Sequence, residues 1–310
     1  VRLPLPETDP SGCYLQLYDR EMSAPSVVHR KSLGAFLGRS VGLSAWKSTG
    51  EASWALRINP SSGNLHPTEV HLILPSGVDI PGGVYHYAPY SHELERRADV
   101  PADIEGALHA HFTTPGFLVG LTSILWRESW KYGERAFRYC NHDIGHALAC
   151  LSYSAALLGW RVVYLGGVAD TELESLFGLG MPHANAHEKE HPELLCFVDT
   201  TGHGDIPRGL PEGMPRAFGS VVFHGAPSQL SPSFVEWDII DEVAESTKKP
   251  RTEPVEWQLP DTPLRLPDPL PRLSAVHIIT HRRSAVQLDG VTSITKHQFL
   301  CMLDKTLPRR

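Results

Sequence analysis

The alternation of apolar and polar positions divides the chain into a series of short elements. Residues 26–40, "SVVHRKSLGAFLGRS", carry apolar positions at helical spacing. "EVHLILP" and "GGVYHYAP" read as two strands joined through "SGVDIPGG", the composition of a hairpin connection. "PADIEGALHAHF" opens with proline and acids, as helix N-termini do, and "GFLVGLTSILW" has the branched and aromatic content of a buried strand. The longest predicted helix covers residues 134–160, "ERAFRYCNHDIGHALACLSYSAALLGW", with no proline to interrupt it. From Ala147 onward it is apolar on almost every face, so residues 147–158 should be buried centrally or at an interface between copies. "RVVYLGG", "DTELESLFGL" and "ELLCFVDT" continue as strand, helix and strand, and Ser233 with Glu236 makes a capping box for one further helix. Strands come as a hairpin and singly, with helices between them in no strict βαβ order. That is the pattern of an α+β fold.

Composition narrows the setting. In 310 residues, 41% hydrophobic and 20% charged positions describe a soluble globular chain. A net charge of −7 without any basic stretch excludes a nucleic-acid partner. No apolar run approaches the length of a membrane span, and "VRLPLPETDP" lacks the layout of a secretory signal. The sequence starts at Val1 rather than Met, which is what a fragment or a processed form would show. Five dispersed cysteines with no Cys-x-x-Cys pair suit a reduced, cytoplasmic protein. Prolines recur through residues 248–271, the composition of an extended linker. They separate a body, residues 1–247, from a tail, residues 272–310, which is too short to bury a core alone.

Two histidine pairs raise the question of a metal. "HEKEH", His187 to His191, fits the zinc-peptidase spacing, but Pro192 follows at once and the flanks are polar, so no helix should carry it. His142 and His146 in "NHDIGH" sit four apart on a credible helix, yet no convergent Cys or carboxylate accompanies them. No metal is expected at either. No Gly-rich phosphate loop is present, and "GLSAW" lacks the second glycine of a nucleophile elbow.

Chemistry concentrates instead in "RINPSSGNLHPTEVHLIL", Arg57 to Leu74. Pro60, Ser61, Ser62, Gly63 and Asn64 make a tight loop of small polar residues before a strand, where backbone can approach a ligand closely.

"NPSSGNLHPTE" resembles the Pro-Ser-Ser-x-Asn-x-x-Pro segment of the flavin-dependent nitroreductase superfamily. It is closest to the Arg-x-x-Pro-Ser-x-Gly-x-x-x-Pro form of the SagB-type, azoline-dehydrogenase branch. "WKYGERAFRYCNHDIGHALACLSYSAALLGW" resembles that branch's Lys-Tyr-Gly-x-Arg-x-x-Arg-Tyr motif and the helix after it, and "YLGGVADTELESLFGL" its Gly-Gly segment. The three motifs fall in family order over residues 30–200. The resemblance implies a mixed, mostly antiparallel sheet wrapped by helices, and a dimer or two-module pseudo-dimer with FMN at the interface. Gly166 and Gly167 would give backbone donors to the flavin. Pro60, Ser61, Ser62, Gly63 and Asn64 would line the ring and ribityl chain from the partner subunit or module, and Arg57 would put positive charge near the pyrimidine edge. Lys131 and Tyr132 would serve in oxidising azoline rings of modified peptides, Lys131 as a desolvated base. In the tail, Arg282, Arg283 and Ser284 resemble the Arg-x-Ser that contacts the FMN phosphate, although Val286 stands where a basic residue is frequent. The tail thus reads as the start of a second, incomplete nitroreductase module, while "HRKS" at residues 29–32 only mimics the phosphate motif. Alternatives are an NAD(P)H-dependent nitroreductase-like flavoenzyme acting on a small molecule, and a flavin-free scaffold that presents a peptide.

Overall fold

The computed structural model describes residues 1–6, 13–17, 24–77, 79–180, 188–230, 232–255 and 273–307. The chain opens with α1 (Arg30–Gly38), the hairpin β1 (Leu43–Ser48) and β2 (Ser53–Arg57), and three successive strands, β3 (Thr68–Leu74), β4 (Gly83–Ala88) and β5 (Glu93–Ala98). Then come α2 (Ala102–His111), β6 (Gly116–Ile124), α3 (Trp126–Tyr132), α4 (Ala136–Leu157), β7 (Arg161–Tyr164), α5 (Asp170–Phe177) and β8 (Glu190–Asp199). Three helices at the end are α6 (Met214–Phe218), α7 (Asp238–Ser246) and α8 (Ala275–His281), followed by α9 (Lys296–Asp304). Two units are distinguished, residues 1–8 with 22–254 and residues 9–21 with 255–310.

The first unit is organised on one six-stranded sheet of order β5-β4-β3-β6-β8-β7, antiparallel throughout. Its middle strands, β3 and β6, are buried almost end to end. Their side chains alternate between two cores. On one face Val70, Leu72, Leu74, Phe117, Val119 and Leu121 meet α1 and α4. On the other, Ile73, Leu118, Leu195 and Phe197 meet α2, α5 and α6. Gly120 is needed in β6 because a Cβ there would lie 2.2 Å from the Phe177 ring of α5. The hairpin β1–β2 stands outside this sheet. No helix among the described residues is long and apolar enough to cross a membrane.

The α+β class and the hairpin, helices and strands expected from the pattern are present, but four expectations change. The helix expected behind Ser233 and Glu236 starts later, at Asp238 after Trp237. Trp237 is held over the Gly133 turn, where a built Cβ would lie 3.0 Å from its ring. The long helix starts at Ala136 rather than 134, behind a 3-10 turn. Within the first unit its surface is not closed all round, since Gly145, Ala149 and Ser152 form an exposed stripe. Residues 248–254, expected as free tether, instead lie along the turn after β7: Asp170 N–H donates to Lys249 O (3.1 Å), and Thr252 N–H to Gly167 O (3.2 Å). "HEKEH" enters the sheet, with Glu190 and His191 in β8, so it is no metal helix; His187 lies outside the described residues.

The second unit contains α8 and α9. Ser274 caps α8 by accepting from His277 N–H (3.0 Å), and Thr295 with Gln298 forms a capping box on α9. Tyr14 N–H donates to Leu273 O (2.9 Å).

Polar residues interrupt the apolar sheet along one line. His86 Nε2 pairs with Glu69 (2.8 Å) and its Nδ1 with Glu95 (2.8 Å), while Arg127 donates to the other oxygen of Glu69. Beside them His71 pairs with Glu190 at 2.5 Å. Burial opposes a charge on His86, but the two carboxylates outweigh it and hold its pKa at about 9. Burial would likewise raise Glu69, yet Arg127, His86 and Arg57 keep it far below the usual carboxylate range. The raised histidine binds its proton more tightly when folded. Its contribution is complete below about pH 6.5 and disappears as pH rises through about 9. Urea unfolding across this range should therefore show stability falling by up to about 3 kcal/mol in the native protein, and a much flatter profile in His86→Gln. Equal slopes for the two proteins would remove His86 from the network.

Candidate functional site

The loop between β2 and β3 carries backbone that most residues avoid. Gly63, Asn64 and His66 all have positive φ, at 60°, 62° and 52°. For the two non-glycine residues this strain survives only because the surroundings fix it. Ser61 supplies part of the hold, its carbonyl accepting from Asn64 N–H (3.1 Å) and its hydroxyl from His66 N–H (2.8 Å). Asn64 is spent internally: its amide donates to Ala55 O (3.0 Å) and its carbonyl oxygen accepts from His66 Nε2 (2.8 Å). Burial, with Arg57 and Arg127 nearby, pushes His66 down to about 3, so the ring is neutral. The outer anchor is Asp143 of α4, fully buried, which accepts from Ser62 N–H (3.0 Å) and from its hydroxyl (3.2 Å).

Gly133, at φ 57°, ends α3 and turns the chain into α4. Lys131 and Tyr132 therefore stand on a corner rather than inside the long helix. That corner faces the loop: a Cβ on Gly63 would lie 2.5 Å from the Tyr132 hydroxyl and 2.8 Å from Lys131 Nζ. Two sequence motifs some 70 residues apart thus meet at one point. Tyr132 is half-buried, edge-on to Tyr139 at 4.7 Å. Lys131 is exposed, so the desolvation expected of it is not supplied by the first unit.

Two carboxyls lie behind this corner. Burial raises Asp143 although Ser61 and Ser62 bond to it. Glu128 of α3 is fully buried with neither carboxyl oxygen bonded. Burial and then Asp143 push it to about 8 against the pull of Lys131. Arg57 faces inward instead, donating to Thr68 O (3.2 Å) beside Glu69 and Arg127.

The remaining predicted residues lie elsewhere. Gly166 and Gly167 form the turn after β7, in contact with Tyr164, Arg208 and Thr252. Gly167 N–H is already given to Arg208 O (3.0 Å), while Gly166 N–H has no partner among the described residues. Arg282, Arg283 and Ser284 belong to the second unit, after the C-terminus of α8. His29 and Ser32 of "HRKS" cap α1 reciprocally, which explains that mimic. His142 and His146 are exposed, and no group of three or more potential metal ligands exists among the described residues. A cavity of about 790 Å³ lies at the other end of β3 and β6, against Phe112, Phe117 and Phe197, and shares no residue with the corner.

The loop fits the edge of a flat cofactor on one observation: Gly63 is exposed where a Cβ would fill the space before Tyr132. The Gly167 N–H is already bonded, whereas Asn64, with one amide N–H given to Ala55 O, keeps a second N–H. Asp143 and Glu128 were missed by the motif reading. Asp143 had a legible signal, falling with Cys140 and Ala147 on the buried face of α4. Gly63→Ala should cost roughly 1–2 kcal/mol from the left-handed backbone alone. It should also displace Tyr132, and both effects are readable by thermal unfolding and near-ultraviolet circular dichroism. Asp143→Asn puts an amide against Ser62 N–H and should cost about 1–3 kcal/mol. Native stability in that variant would mean the loop is held by other contacts.

Residues 49–189 match the model of the nitroreductase family. A protein of Methanocaldococcus jannaschii named as a nitroreductase is 28% identical over 143 residues, 45% of this chain and 68% of the relative. A crystal structure named as a nitroreductase from Anabaena variabilis superposes with a TM-score of 0.60 at 19% identity over 84% of this chain. The chain spans about half, 53%, of that protein's length. A chain of the Escherichia coli microcin synthetase McbBCD complex with truncated pro-MccB17 bound aligns at 20% identity over 64% of this chain and 68% of its own, with a TM-score of 0.44. The matched stretch includes the loop at Pro60–Asn64, the Lys131–Tyr132 corner and the Gly166–Gly167 turn, but not Arg282–Ser284. Residues 49–189 thus resemble the nitroreductase family, and the chain has a nitroreductase-like α+β fold.

Proposed function

We propose that the chain is an FMN-dependent oxidoreductase of the SagB-type branch, oxidising azoline-type rings in modified peptides. The observation that carries this reading is the meeting of Lys131 Nζ and the Tyr132 hydroxyl with Gly63 of the small-residue loop. FMN, when bound, would supply the hydride acceptor. Pro60, Ser61, Ser62 and Gly63 would border it, with Gly166 contributing a backbone N–H. Lys131 Nζ would take the proton that leaves the ring, once substrate and cofactor cover it and remove the water it now meets. Tyr132 would fix substrate orientation through its hydroxyl. Asn64 and Arg57 act indirectly, the first by holding the loop and the second through the Glu69–Arg127 cluster. The exposed stripe of Gly145, Ala149 and Ser152 on α4 would let a second copy or module approach closely.

The exposure of Lys131 supports a second reading, a nitroreductase-like flavoenzyme that takes hydride from a nicotinamide and needs no protein base. Variants separate the two. Lys131→Ala should lower azoline turnover by roughly 10²–10⁴ with FMN content unchanged, and Lys131→Arg should not rescue it, since a guanidinium stays protonated. Tyr132→Phe should lose less. Wild-type behaviour of all three in single-turnover flavin reduction would select the second reading, and failure of the purified protein to hold added FMN would end both.

A further inference from the structure

A carboxyl group that is fully buried and bonded to nothing is costly unless it stays neutral. Glu128 is in that state. It lies three residues before Lys131 on α3, a spacing that places both on one face of the helix within about 5–6 Å at their Cβ atoms. Asp143, from α4, is the neighbouring anion, but its oxygens are occupied by the Ser62 amide and hydroxyl. The two acids therefore divide the work. Asp143 is the bonded one that anchors the loop, and Glu128 is the unbonded one, free to change charge without releasing it.

We propose that Glu128 is a positioning residue for Lys131, its buried and unpartnered carboxyl controlling how tightly the lysine holds its proton. The inference rests on the role given above to Lys131. A neutral Glu128 leaves no charge of its own one turn from the ammonium. An ionised Glu128 puts a negative charge there in a poorly solvated place, and Lys131 then gives up its proton less readily. Glu128 leaves its neutral form near pH 8, so the balance shifts within the range in which a base would work.

Other groups around Glu128 do not take this part. Cys140 of α4 is kept a neutral thiol by burial, its charge further opposed by Glu128, Glu193 and Asp143. Glu193 of β8 is pushed to about 7 by burial, and it lines a different cavity with Asp170, His191, Lys248 and Lys249. From α7, which packs on α4, Asp238 and Asp241 line a pocket with Trp126 and Ser129.

The test reads Lys131 directly. The flavin-free full chain is acylated with a small amine-directed reagent over a pH series, and modification of the Lys131 peptide is followed by mass spectrometry. In Glu128→Gln the reactivity curve should move to lower pH by about 0.5–1 unit, the size of one charge interaction at short range. Glu128→Asp, which keeps the charge, should stay near the native curve. Should the amide not fold, Glu128→Met removes the same charge with an apolar chain and carries the same expectation. Superposed curves for native and charge-free variants would overturn the proposal. With FMN loaded, the rising limb of the pH–rate profile should move in the same direction. A shift in the labelling curve without azoline-dependent flavin reduction would support Glu128's role while rejecting the substrate assignment.

Discussion

The bond between Asp143 and Ser62 is the constraint on which the candidate site depends. A loop with three left-handed residues does not hold its shape from local preferences, and its own hydrogen bonds join only neighbours. Asp143 fixes it from outside, through a carboxylate that has no exposure and accepts both the amide and the hydroxyl of Ser62. Since α4 is itself packed on β3 and β6, the loop inherits the rigidity of the core. The position of Gly63 against Tyr132 and Lys131 follows from that anchor.

The anchoring acid has an electrostatic consequence. One buried charge beside a second carboxyl makes ionisation of the second unfavourable, and Glu128, unbonded and one turn from Lys131, carries the burden. The same region behind the loop holds a compensated group, Glu69, stabilised by Arg127 and His86. Paired carboxylates there serve structure, and the unpaired one is available to respond to charge at the surface. The difference lies in hydrogen-bond partners rather than in residue type.

The exposed Lys131 and the committed Gly167 N–H bear on how a cofactor would be met. The small-residue loop and the turn after β7 have no neighbours in common within the first unit.

The strands β3, β4, β6, β7 and β8 and the helices α1, α2, α4 and α5 were legible in the sequence, because alternation of period two and of helical period records which faces are buried, whereas β1, β2 and β5 were not read. The loop at Pro60–Asn64 was legible for a similar reason: small residues, proline and glycine are used together where backbone must take an unusual course. The helix expected behind Ser233 and Glu236 starts later than that local pattern implies, at Asp238. Asp143 could have been found as an acid on the apolar face of α4. Glu128 could not, and neither could the exposure of Lys131. Both depend on which distant segments close over a side chain, and on whether those segments bring a donor with them. Sequence set the elements and the motif residues. Only the tertiary structure decided which carboxyl is bonded and which is buried without a donor, because solvation and hydrogen bonding arise between residues far apart in the chain.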